Sequence, residues 1–142
     1  FRCVLFRSGD SDDNRGHVRV YEYSGSSWSQ LGSDIDGEAA GDHSGVSVDL
    51  DSDGSHVVIG AMFNDGTTGD SDDNRGHVRV YEYSGSSWSQ LGSDIDGEAA
   101  GGQTGVRGEM VSVGGRGVIG AMVNDGTTGD GDDNRGHVRV YE

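Results

Sequence analysis

Between residues 46 and 61 the apolar positions first alternate with polar ones and then run together. Val46, Val48 and Leu50 interleave with Ser47 and Asp49, a Ser52-Asp53-Gly54 turn follows, and Val57, Val58 and Ile59 are continuous. Period two is the signature of a pleated strand, and a short uninterrupted apolar run bounded by turns marks a strand covered on both faces. The pattern predicts a hairpin whose second strand, 56–61, lies between two layers. Beyond the polar stretch Asn64 to Gly76 comes HVRVYEY at His77 to Tyr83, rich in β-branched and aromatic residues, then a Ser84-Gly85 turn and a shorter strand from Trp88 to Leu91. Extended along the chain, the same reading predicts strands at 17–23, 28–31, 46–51, 56–61, 77–83, 88–91, 106–111, 116–121 and 137–141. No segment carries the i, i+3, i+4, i+7 spacing of an amphipathic helix.

The pattern repeats. Gly9 to Gly41 recurs unchanged as Gly69 to Gly101, and Ala61 to Glu82 recurs from Ala121 with changes only at Phe63/Val123 and Ser71/Gly131, so the period is 60. Each unit supplies four short antiparallel strands, the size of one β-propeller blade; a solenoid is the alternative stacking. The organisation expected is a non-repeat segment at 1–8, with FRCVLFRS unlike Ala61 to Thr68, followed by blades over 9–142. That makes about 2.4 units, an incomplete propeller that further blades of a parent chain would complete.

Composition adds constraints. Gly reaches 27 residues and Pro is absent, while only 31% of the chain is apolar. This is turn-rich β composition, and the regular apolar spacing argues against disorder. With 25 acids against 10 bases the formal net charge is -15, a field that repels phosphate backbones and anionic headgroups. Nucleic acid is excluded as a partner on that ground. No apolar run approaches the roughly 20 residues of a membrane span. One cysteine, Cys3, cannot form an internal disulfide.

The stretch from Gly45 to Ala61, GVSVDLDSDGSHVVIGA, resembles the FG-GAP repeat of integrin α-subunits. In that pattern a Gly-led strand runs into an Asp-x-Asp-x-Asp-Gly turn and ends in Gly-Ala-Pro. Ser44 and Thr104 stand at the family's Phe, and Met62 and Met122 at its Pro. The resemblance implies blades of a seven-bladed, extracellular or cell-surface propeller used in adhesion or ligand binding, with calcium in some hairpin loops. Calcium would fall to Asp49, Asp51 and Asp53, because a hard cation wants several oxygens and the Gly54 turn lets alternate carboxylates converge. Val57 takes the place of a further acid, and the matching residues one unit later are Glu109, Val111 and Val113, so only the first loop is expected to bind.

The other polar residues read as structural. Asp70, Asp72, Asp73 and Asn74 recur at Asp10 to Asn14 and Asp130 to Asn134 and suit a solvated acidic loop, with Arg75 offsetting part of its charge. His17, His77 and His137 share one repeat position, which fits hydrogen bonding between blades and not a unique catalytic role. His43 and His56 become Gln103 and Arg116 one unit on, as surface positions do. Trp28 and Trp88, with the neighbouring tyrosines, could form sugar-stacking platforms but fit packing against an adjacent blade better. No Gly-x-Ser-x-Gly elbow, Cys/His pairing or metalloprotease helix is present. The function expected is a non-enzymatic extracellular binding module for a protein or glycan ligand. Part of a propeller lyase or hydrolase, or a purely structural repeat, are the alternatives.

Overall fold

The computed structural model describes residues 2–7, 13–66, 73–111, 116–121 and 137–141, and for 2–7, 107–111, 116–121, 137 and 141 the backbone alone. Every strand expected from the pattern is present within two residues of its expected ends. In chain order they are β1 (Arg2–Arg7), β2 (His17–Tyr23), β3 (Trp28–Gln30), β4 (Ile35–Asp36), β5 (Ser47–Leu50), β6 (His56–Ala61), β7 (His77–Tyr83), β8 (Trp88–Gln90), β9 (Ile95–Asp96), β10 (Thr104–Val111), β11 (Arg116–Ala121) and β12 (His137–Tyr141). There is no helix among the described residues.

The strands form three antiparallel sheets. The first orders β1-β2-β3 with β4 also on β2, the middle one β5-β6-β7-β8 with β9 also on β7, and the last β10-β11-β12. In the middle sheet β8 and β9 share one lane. Tyr81 opposes Gln90 and Val78 opposes Ile95, so the four residues Leu91 to Asp94 span the gap opposite two, Arg79 and Val80. This bulge swings the Asp94 carboxylate onto Arg79, whose Nε donates to its Oδ1 at 3.0 Å. The first sheet repeats it, with Arg19 Nε 2.9 Å from Asp34 Oδ1. Strands of two residues leave too short a pattern to predict, which is why β4 and β9 escape the sequence reading.

Residues 2–7 are foreign to the repeat in sequence but not in place. In β1, Arg7 opposes His17 and Arg2 opposes Glu22, as Ala61 opposes His77 and His56 opposes Glu82 between β6 and β7. Strand β1 therefore fills the lane of β6 with unrelated residues. What a strand lane requires is backbone pairing, which many sequences satisfy.

Cores lie between the sheets. Val57 and Ile59 point from β6 toward Val18 and Ile35 of the first sheet, with Val48, Leu50, Tyr81 and Trp88 around them. Val58, on the opposite face, clusters with Val78, Val80 and Ile95, and β10 packs against β5, β6 and β7. The continuous Val57-Val58-Ile59 run is thus explained: alternate residues enter two separate cores. Each such side chain contributes about 1.5–3 kcal/mol by leaving water.

A strap links one sheet to the next. After β4, the amides of Gly37, His43 and Ser44 donate to the carbonyls of Gly16, Asn14 and Arg15, and Gly45 N donates to Gly60 O in the middle sheet. One unit later Gly97, Gln103 and Thr104 repeat the pattern on Gly76, Asn74 and Arg75. Ser44 is buried here. A Cβ on Gly37 would lie 3.0 Å from the Ser44 Cβ, and one on Gly16 would meet the Ser44 carbonyl oxygen at 2.2 Å. The strap crosses so closely that neither Gly16 nor Gly37 has room for a side chain.

Candidate functional site

The hairpin joining β5 and β6 carries the expected calcium residues. Asp51 and Asp53 bring carboxylate oxygens within 4.8 Å of one another and of a ring nitrogen of His56; Asp49, back on β5 opposite Val58, does not join that group. Asp51 is already engaged. Its Oδ2 accepts from Ser55 Oγ at 3.1 Å and lies 2.7 Å from His56 Nδ1, while Oδ1 accepts from His56 N at 3.1 Å. Burial would raise its pKa, but the hydrogen bonds from the His56 ring, the His56 amide and Ser55 outweigh that and hold the carboxyl below its ordinary range. Asp53 Oδ1 accepts from Ser55 N at 2.8 Å. Two carboxylates and an imidazole do not fit a hard cation that takes six to eight oxygens. His56 is no drifting surface residue either: half-buried, it ties the hairpin shut from inside.

Of the acidic loops, Asp10, Asp70, Asp72 and the third copy lie outside the described residues. Asp73 departs from the solvated reading, being 4% exposed. Arg75 Nε and Nη2 both donate to its Oδ2, at 2.9 and 2.6 Å, and Arg15 Nε donates to Asp13 Oδ2 at 2.9 Å in the preceding unit. These acids anchor the loop ends next to the strap. Asn14 and Asn74 beside them adopt positive φ, 53° and 43°, which short amide side chains tolerate.

The seam between the first two sheets gathers the most chemistry. Trp88 packs there, its Nε1 donating to Leu31 O at 2.8 Å, as expected of an inter-sheet aromatic. Beside it opens a cavity of about 300 Å³, with Ser33, Asp34, Ile35 and Asp36 on one wall and Tyr81, Ser87 and Trp88 on the other. Asp34 is held down to about pKa 2, chiefly by its hydrogen bonds from Arg19, so its carboxylate stays ionised and paired with that guanidinium.

Farther along the same seam Glu38, from the strap, forms an ion pair with Arg79. Glu98 repeats it with Arg139, sixty residues on. His77 lies beneath, 2% exposed. Its Nδ1 stands 3.8 Å from Glu38 Oε2 and 4.0 Å from Asp94 Oδ2 and makes no hydrogen bond. Burial pushes the imidazole below its ordinary pKa, against the pull of Asp94, Asp42 and Asp96. His77 does sit between units, facing Glu38 of one and Asp94 of the other, but its Nδ1 takes no hydrogen bond there. Glu38 escaped the sequence reading because its partner is a unit away; its exact recurrence at Glu98, with Arg79 and Arg139 alongside, was the available signal.

No protein-family model matches the chain, and no curated protein matches it.

Proposed function

We propose that the chain is a non-enzymatic binding module built of FG-GAP-like blades stacked face to face, working outside the cell, with a glycan as its ligand. The observation that carries this reading is the cavity between the first two sheets. Tyr81 and Trp88 offer aromatic faces on which the C–H side of a sugar ring can lie, while Asp36, Ser33 and Ser87 supply acceptors and donors for sugar hydroxyls. A cavity of this size suits one or two sugar rings. The shifted carboxylate Asp34 is consumed by Arg19 and Gln30, so it is held as an anion and not poised as a general acid.

Saturation-transfer NMR with a panel of mono- and disaccharides tests the proposal. Transfer to ring C–H protons that weakens in Tyr81→Ala supports it. Absence of transfer from every sugar, or transfer undiminished in Tyr81→Ala, removes the cavity as a glycan site.

A further inference from the structure

The two complete copies of the Arg–Asp–Gln cluster have the same sequence and different geometry. In the first sheet Arg19 engages both oxygens of Asp34, with Nε 2.9 Å from each and Nη2 2.7 Å from Oδ2. In the middle sheet Glu38 of the preceding unit draws Arg79 toward itself. Asp94 Oδ1 keeps Arg79 Nε at 3.0 Å and Gln90 Nε2 at 2.6 Å, while Oδ2 retains only a long 3.4 Å bond from Arg79 Nη2. Arg79 thus holds Oε1 of Glu38 and mainly Oδ1 of Asp94. The other oxygen of each carboxylate is turned to His77 Nδ1, and each of the three residues offers a ligand atom within 4.8 Å of those of the other two.

We propose that this seam is a binding site for a divalent transition cation, of which Zn²⁺ is the representative, held by His77 Nδ1, Asp94 Oδ2 and Glu38 Oε2. Three features point to it beyond the clustering of acids. His77 Nδ1 is a buried nitrogen with no hydrogen-bond partner, aimed at two carboxylate oxygens, and such an atom is costly unless something binds it. One nitrogen with two oxygens is a donor set that suits Zn²⁺ and its borderline neighbours and not Ca²⁺ or Mg²⁺. A tetrahedral ion with bonds of about 2.0–2.2 Å holds its ligand atoms about 3.3–3.6 Å apart, so the separations of 3.8 and 4.0 Å from His77 Nδ1 to the two oxygens need only small side-chain movement to reach that geometry. Arg79 and Gln90 already orient the carboxylates from behind, as outer partners of metal ligands do.

Two carboxylates and Arg79 leave a net charge of -1 around a neutral imidazole, so a divalent ion reverses the local charge without leaving an unpaired anion. The half-exposed Glu38 marks the route of entry. Two ligands come from the second unit and one from the first, so the ion would clamp neighbouring units together. Glu98 and His137 stand in the same sequence relation one unit on. This site is separate from the glycan cavity and does not depend on that reading.

The test is calorimetric titration of Zn²⁺ alone into the whole chain, repeated with Co²⁺ to read its visible absorption. Because His77 is buried, Glu38→Gln is the variant that keeps binding distinct from folding, with far-UV circular dichroism as the check; His77→Gln is the companion. Zn²⁺ binding that weakens roughly tenfold or more in Glu38→Gln, and survives in Asp53→Asn, supports the site. No binding up to millimolar Zn²⁺, or equal binding in wild type and Glu38→Gln, overturns it. Loss in Asp53→Asn alone places the ion on the hairpin and overturns it equally.

Discussion

Glu38 reaches out of the strap that leaves the first sheet and pairs with Arg79 in the second, across the seam that joins two repeat units. Glu98 and Arg139 do the same one unit later, so the ion pair belongs to the repeat. It ties neighbours together, and neither unit can form it alone.

A double-mutant cycle on Glu38→Gln and Arg79→Gln, read by urea unfolding, is expected to give a coupling of roughly 1 kcal/mol, toward the upper end for exposed pairs because Arg79 is largely buried. The coupling should shrink as salt screens the half-exposed Glu38. Additive single effects would mean that the two side chains do not meet in solution.

Gly60 tests the packing of the middle sheet on the third. A Cβ there would meet the Gly105 carbonyl oxygen at 2.0 Å, whereas one on Gly85 meets nothing within 4 Å. Gly60→Ala is expected to destabilise by about 1–3 kcal/mol through overpacking, with residues around β10 losing amide-exchange protection first. An unchanged thermal midpoint would show that β6 and β10 are not in contact.

Stability in acid should report Asp34. Its folded pKa is lowered to about 2 from an ordinary 3.8, so the Arg19 pairing contributes fully above pH 3.8 and is lost as pH falls toward 2. Asp34→Asn should flatten the stability profile in that window by less than about 1 kcal/mol, since the pair is partly exposed, and leave the slope near neutral pH unchanged. A variant with the wild-type profile between pH 4 and 2 would contradict the pairing.

Much of this architecture is legible in the residues. Val57, Val58 and Ile59 announce a strand between two layers because burial on both faces abolishes alternation, and the 60-residue recurrence announces equivalent sheets. Two things are hidden. β1 fills its lane through backbone pairing, for which FRCVLFRS carries no repeat signature. The seam cluster joins Glu38 to His77 and Asp94 across a unit boundary, and nothing local to any of the three residues reveals the other two. The hairpin shows the converse. Asp49, Asp51 and Asp53 look equivalent in sequence, yet the chain turns at Asp51, so Asp49 stays on the strand while His56 comes round to Asp51.

The units stack face to face, and the two tryptophans report on that stacking. Trp28 and Trp88 sit in identical 33-residue segments, so any difference between them comes from what lies opposite. Trp28 is 48% exposed, whereas Trp88 packs into the seam and donates to Leu31 O. Acrylamide quenching, with a neutral quencher that the acidic surface does not repel, is measured on Trp28→Phe and Trp88→Phe. Trp88, observed alone in Trp28→Phe, is expected to emit at shorter wavelength and to be quenched less than Trp28 observed alone. Equal emission maxima and equal quenching constants would contradict the stacked arrangement.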